Sequence, residues 1–238
     1  MFVLSANPRL NPEILAYDRL YAYPSLPVIT DGQLIILDSG AFALSFKKQR
    51  MDEAYIAKLA AHYEAYRDFK NVYFVAPDVF KYPELSMRQF EYFKTLCDVD
   101  AAPVLQFKTP NADLFSAKKQ INFYRTFGNV RMICLSNHKF DIDKQAGNIQ
   151  RILEMIRSAF GDIKIHVLGA GFNSLDVAKW MATGVTSMDS ISYYSDAPRH
   201  KWVFGSASLQ ASNDGFKQTA LYNAQIARKS ALNYEVML

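Results

Sequence analysis

Short apolar runs alternate along this chain with longer segments of helical period, and that alternation sets the first expectation. Leu34-Ile35-Ile36-Leu37, Val72-Tyr73-Phe74-Val75, Val104-Leu105-Gln106-Phe107, Met132-Ile133-Cys134-Leu135 and Ile165-His166-Val167-Leu168 each read as strands. Near-continuous apolar runs are what strands covered on both faces require. Phe2 to Ser5, Val185 to Met188 and Trp202 to Phe204 are weaker strand candidates. Between them, Asp52 to Phe69 places Tyr55, Leu59, His62, Tyr63 and Tyr66 at three- and four-residue spacing, the period of an amphipathic helix. Glu84 to Leu96, Ala112 to Thr126, Asp143 to Phe160 and Ser174 to Thr183 follow the same period, and Phe216 to Tyr234 reads as a closing helix. Asn173-Ser174 is suited to cap the Ser174 helix and Gly184 to stop it. Asn7 to Pro27 reads as an irregular excursion after the first strand.

Strands alternating with helices predict a parallel sheet with crossover helices. Eight strands in 238 residues predict a small (β/α)8 barrel, a single domain spanning residues 1–238. A doubly wound open sheet is the alternative. No internal repeat, low-complexity run or linker divides the chain.

Composition narrows the class only a little. With 50% hydrophobic and 21% charged residues the balance is that of an ordinary globular protein rather than a disordered chain. No apolar run approaches the roughly 18–20 residues that cross a bilayer, so no membrane partner is expected. Met1-Phe2-Val3-Leu4 lacks a basic region ahead of its apolar residues and reads as a strand rather than a signal peptide. Cys97 and Cys134 both sit in apolar contexts, without the number or spacing of a disulfide framework or zinc site. A reducing, cytoplasmic compartment is expected. The net charge of +4 permits a nucleic-acid partner without requiring one.

The informative residues follow the strands. Leu37 leads into Asp38-Ser39-Gly40, and Val75 into Ala76-Pro77-Asp78. Gln106 lies in the next strand; later ones end at Ser136-Asn137-His138 and Gly169-Ala170-Gly171, and Val185 to Met188 runs into Asp189-Ser190. Strand C-termini of parallel α/β folds converge on one face, where active sites are built. An Asp after a strand is often only a helix cap. Asp38 precedes a tight glycine turn well ahead of the helix at Asp52, and Asp189 has no helix to cap. His166, inside a strand, reads as packing. No HxH, HExxH or Cys/His cluster supports a metal. GxxxxGK[ST] and GxGxxG are both missing, so neither a metal nor a nucleotide cofactor is expected.

In this order the strand ends resemble those of the tRNA-guanine transglycosylase family, including the phage and bacterial relatives that insert 7-deazaguanine bases into DNA. Asp38-Ser39-Gly40-Ala41-Phe42 is similar to the family's DSGGF motif, and Gly184-Val185-Thr186-Ser187-Met188-Asp189 to its GVDxFD. Leu168-Gly169-Ala170-Gly171 resembles its strand-end glycine motif, and Asp196-Ala197-Pro198-Arg199 its Asn-Ala-Arg. Ala41 and Ala43 depart from a Gly and a Gln of the motif, and the Cys/His zinc module of the tRNA enzymes has no counterpart.

The resemblance implies exchange of guanine in DNA for a 7-deazaguanine base such as 7-cyano-7-deazaguanine, through a covalent glycosyl-enzyme intermediate. It implies Asp189 as nucleophile and Asp38 as proton shuttle. Asp78, Gln106, Gly169 and Gly171 would hold the base, with Ser39 and Phe42 of the DSGAF motif beside them. Arg199, His200 and Lys201, with Lys47 and Lys48, would neutralise backbone phosphates. Three other readings stay open: the same chemistry on tRNA, a nucleoside or glycoside hydrolase in which water resolves the intermediate, and a non-catalytic nucleic-acid-binding barrel.

Overall fold

β-branched and aromatic residues in short apolar runs give this chain most of its strands, and parallel pairing between those runs gives it its sheet. A computed structural model of the protein describes residues 2–5, 18–128, 130–137, 142–169 and 179–190. Its elements are β1 (Phe2–Ser5), β2 (Arg19–Ala22), β3 (Ile35–Asp38), α1 (Ala41–Phe46), α2 (Glu53–Glu64), β4 (Val72–Val75) and α3 (Pro83–Leu96). They continue with β5 (Ala101–Ala102), β6 (Val104–Leu105), α4 (Leu114–Arg125), β7 (Met132–Ser136), α5 (Ile142–Phe160), β8 (Lys164–Leu168) and β9 (Ser187–Ser190). A helical turn at 179–182 precedes β9. Among the described residues, no helix is long and apolar enough to cross a membrane.

The strands form one sheet in the order β5-β4-β3-β2-β1-β9-β8-β7-β6, and every pairing is parallel. The parallel α/β architecture is the one expected from the alternation of runs. Its two end strands, β5 and β6, are consecutive in sequence with Pro103 alone between them. Proline has no N–H to donate to a ladder, so this stretch pairs in two short pieces, Ala101–Ala102 and Val104–Leu105, and the run read as Val104 to Phe107 pairs only through its first two residues.

Three helices bury stripes of residues at the same spacing, i, i+3, i+4 and i+7, apolar but for one glutamine. These are Ile56, Leu59, Ala60 and Tyr63 on α2; Ala117, Gln120, Ile121 and Tyr124 on α4; and Ile149, Ile152, Leu153 and Ile156 on α5. Asp52 caps α2 by accepting from the Tyr55 N–H at 2.8 Å, and Asp113 caps α4 by accepting from Phe115. The stripes cover one sheet face, through Ile35, Leu37, Phe74, Ile133, Leu135, Ile165, Val167 and Met188. The alternate residues Leu20, Ile36, Val75, Ala102, Val104, Met132 and Cys134 form a second buried cluster on the opposite face. Tyr73 joins that cluster, its ring packed by Arg131 at 4.7 Å and Lys164 at 4.5 Å.

Several expectations need correction. Asn7 to Pro27 contains a strand: β2 pairs Tyr21 with Leu37 and Ala22 with Asp38. The segment after Asp38 is not a bare turn, because α1 begins at Ala41. The last described strand runs Ser187–Ser190 rather than Val185 to Met188, which puts Asp189 within the ladder opposite Val3. The strand at Trp202 to Phe204, the closing helix and the cap at Asn173-Ser174 lie outside the described residues.

Candidate active site

Pleating carries the second face one step beyond its apolar layer, and there its residues become polar. Along the strands Ile36 gives way to Asp38, Val104 to Gln106, Cys134 to Ser136 and Ser187 to Asp189. All lie towards the C-terminal ends of parallel strands, where the side chains converge.

Asp38 ends β3. Gly40, with φ of 79°, turns the chain, and its N–H donates to Asp38 Oδ2 at 3.0 Å. A Cβ at that position would lie 2.7 Å from the Tyr23 carbonyl oxygen and 2.8 Å from the Tyr55 hydroxyl, so the turn admits only glycine. The Tyr55 hydroxyl donates to the Ser39 carbonyl at 2.8 Å. From α2 the Tyr63 hydroxyl reaches both the Leu37 and Val75 carbonyls, at 3.0 and 2.7 Å, and ties the end of β3 to β4. Burial pushes the Asp38 carboxyl up to about 7; the nearby charges of Asp78 and Asp189 push the same way, against N–H bonds from Gly40 and Ser39.

Asp78, 5% exposed, follows β4 and is held at both oxygens. The Ser39 hydroxyl donates to Oδ1 at 2.9 Å and the Gln106 amide to Oδ2 at 2.6 Å. Burial raises Asp78 to about 6 in spite of these donors. Gln106 is fixed in turn: its Oε1 accepts from the Lys81 N–H at 3.1 Å, and Gln120 of α4 clamps its backbone N–H and carbonyl, each at 2.9 Å. Asp189, 6% exposed, accepts at Oδ1 from the Gly169 N–H at 3.0 Å. His166 Nε2 lies 3.1 Å from that same oxygen, and His166 Nδ1 lies 2.8 Å from Ser187 Oγ.

The structure therefore brings together Asp38, Ser39, Asp78, Gln106, Gly169 and Asp189. Phe42 stands nearby on α1, 55% exposed, edge-on to Phe80 with centroids 5.5 Å apart. Lys47 and Lys48 are exposed just past α1. Gly171, Arg199, His200 and Lys201 lie outside the described residues. The reading of His166 as packing is corrected: it is wholly buried, and both ring nitrogens face polar partners. Strand period was the overlooked signal, because a His in an apolar strand that pairs with Ser187 shares its face with Asp189.

Among the described residues no three His, Cys, Asp or Glu side chains are arranged to hold a metal ion. A cavity of about 310 Å³ lies at the opposite, N-terminal end of the strands, beside the ion pairs Arg67–Asp98 and Arg131–Asp100. It is remote from the carboxylates. No protein-family model matches the chain, and no curated protein does.

The two raised carboxyls make stability depend on pH. Folding holds protons on Asp38 and Asp78 that the unfolded chain releases near 3.8, so stability falls as pH rises from about 4 to about 7. Asp38→Asn removes one ionisation and keeps an acceptor for Gly40. It is expected to raise Tm at pH 8, the shift from 3.8 to about 7 setting an upper bound of about 4 kcal/mol, and to change little at pH 4. Thermal unfolding of both proteins at the two pH values checks this.

Proposed function

We propose that the protein is a base-exchanging transglycosylase that replaces guanine in DNA with a 7-deazaguanine base through an Asp189-linked glycosyl intermediate. The observation that carries this reading is the meeting of three carboxylates at one strand-end face, each in a different environment. Asp189 sits on a strand, its Oδ1 oriented by two nitrogens, as suits a nucleophile that attacks C1′ while guanine leaves. Asp38, pushed up to about 7, is matched to giving a proton to the departing base and taking one from the incoming base. Asp78 has one donor on each oxygen, and a carboxylate accepts about four hydrogen bonds. The remaining capacity suits adjacent N–H donors such as guanine N1–H and its exocyclic amine. Gln106 acts on the base through Asp78, because its amide is engaged with Asp78 and Lys81.

The reading includes a closed (β/α)8 barrel. Supporting closure, 101–105 offers carbonyls on both sides: Ala76 donates to Ala102, and Cys134 to Pro103. Among the described residues the second buried cluster contains no helical residue, as the interior of a barrel requires.

Exposed cations and rings near these strand ends suit a polynucleotide. Lys47 and Lys48 stand one short helix from Asp38. Lys108 and Lys119 flank Glu84 at 3.5 and 3.7 Å, beside exposed Tyr82 and Phe115. Stacking on such rings and phosphate neutralisation together hold an extruded nucleotide. The double variant Lys47→Ala/Lys48→Ala is expected to weaken DNA binding whatever the sequence. It should lower the slope of log K against log salt by roughly 2 on duplex DNA. An unchanged slope would remove these two residues from the interface.

Incubation with labelled guanine and duplex DNA, single-stranded DNA or tRNA tests the reaction. Incorporation into DNA is expected. Labelling of tRNA alone would overturn the polymer assignment, and release of free base without exchange would make the protein a hydrolase.

A further inference from the structure

His166 is the one buried imidazole described at the site, and its surroundings define a directed chain of hydrogen bonds. β8 and β9 pair His166 with Ser187, and the period of two puts Asp189 on the same face of β9. An ionised Asp189 can only accept, so a proton shared with its Oδ1 comes from His166 Nε2. Nδ1 of that tautomer can only accept, and Ser187 Oγ, 2.8 Å away, has a hydrogen to give. Ser187 is 1% exposed and lies two residues further from the strand end than Asp189, so the chain ends on the carboxylate rather than on a nucleophilic serine.

We propose that His166 is a positioning residue for Asp189, held by Ser187 with its proton on Nε2 and fixing the plane of the carboxylate that attacks C1′. This rests on the reading of Asp189 as nucleophile. The imidazole and the Gly169 N–H meet the same oxygen from two elements, β8 and the turn after it, so the carboxylate loses its freedom to rotate. A nucleophile already in its attack orientation reacts faster with no change in how tightly the base binds.

Two variants separate positioning from mere packing. His166→Phe keeps a ring without a donor, whereas His166→Gln keeps an N–H. Single-turnover formation of the protein–DNA adduct is expected to fall about 10–100-fold in His166→Phe, the usual scale for losing an orienting partner. KM for the incoming base should stay within about twofold, and His166→Gln should recover most of the rate. Equal losses in both variants, or a loss confined to KM, would overturn the proposal.

A second measurement does not depend on the reaction. In 15N-histidine NMR the His166 signal, assigned by its loss in His166→Gln, is expected to show the Nε2–H tautomer, and Ser187→Ala to raise the share of Nδ1–H. A proton resident on Nδ1 in the parent would overturn the proposal. If the parent protein exchanges no base, the reaction class fails while the tautomer still decides the role of His166.

Discussion

Asp189→Ala is expected to abolish base exchange, lowering the rate at least about 10⁴-fold, while DNA affinity stays within about threefold. Removing a nucleophile that forms the covalent bond leaves only binding and residual electrostatics, and such losses are among the largest single substitutions produce. Binding should survive because Asp189 is 6% exposed, whereas Lys47, Lys48 and Phe42 are exposed to a polymer. The substitution relieves charge crowding on a face that holds two other carboxylates but takes an acceptor from the Gly169 N–H and the buried His166, so Tm is measured alongside activity. Filter binding with labelled duplex and the guanine-exchange rate, measured on the same preparation, check both halves. Retained exchange would refute the nucleophile.

Asp38→Asn is expected to lower exchange by about 10²–10⁴-fold, the usual contribution of a positioned acid–base group. Its pH dependence carries the sharper information. With the Asp38 carboxyl near 7, both its proton-bound and ionised forms are populated around neutrality, one to release guanine and the other to accept the incoming proton. The parent rate should therefore be greatest near pH 7 and fall on either side, and Asp38→Asn should flatten that profile. The same substitution raises Tm at pH 8, so a folded, more stable and much slower protein is the expected combination. An active Asp38→Asn protein with an unchanged profile would assign the proton to another group.

Much of this arrangement was legible in the chain because its cause is local. Ile35 to Leu37, Val72 to Val75 and Met132 to Leu135 are covered on both faces and so read as continuous apolar runs. Asp38 and Asp78 stand out behind the first two of these runs, and Gln106 as a polar residue within the apolar run Val104 to Phe107. What escaped depends on partners far along the sequence. β2 opens with Arg19, an unlikely strand residue in a Pro-containing stretch. It is buried, and one nitrogen of its guanidinium donates to the Val28 carbonyl at 3.1 Å and to Thr30 Oγ1 at 2.6 Å. α1 is six residues long, too short for a period to show, and starts at a glycine with no capping side chain. β9 begins two residues later than its apolar run, since pairing with Phe2, Val3 and Leu4 of β1 sets its place. His166 looked like packing because its partners, Ser187 and Asp189, come more than twenty residues later.

The central claim is that Asp189 bonds to the sugar, and adduct trapping reads that bond directly. Duplex DNA is mixed with the protein without added base, denatured, digested and mapped by mass spectrometry. A DNA-derived deoxyribosyl adduct on the peptide that contains Asp189, discharged by added guanine or 7-cyano-7-deazaguanine, is the expected result. Base exchange that proceeds with no adduct, or with the adduct on another residue, would contradict it.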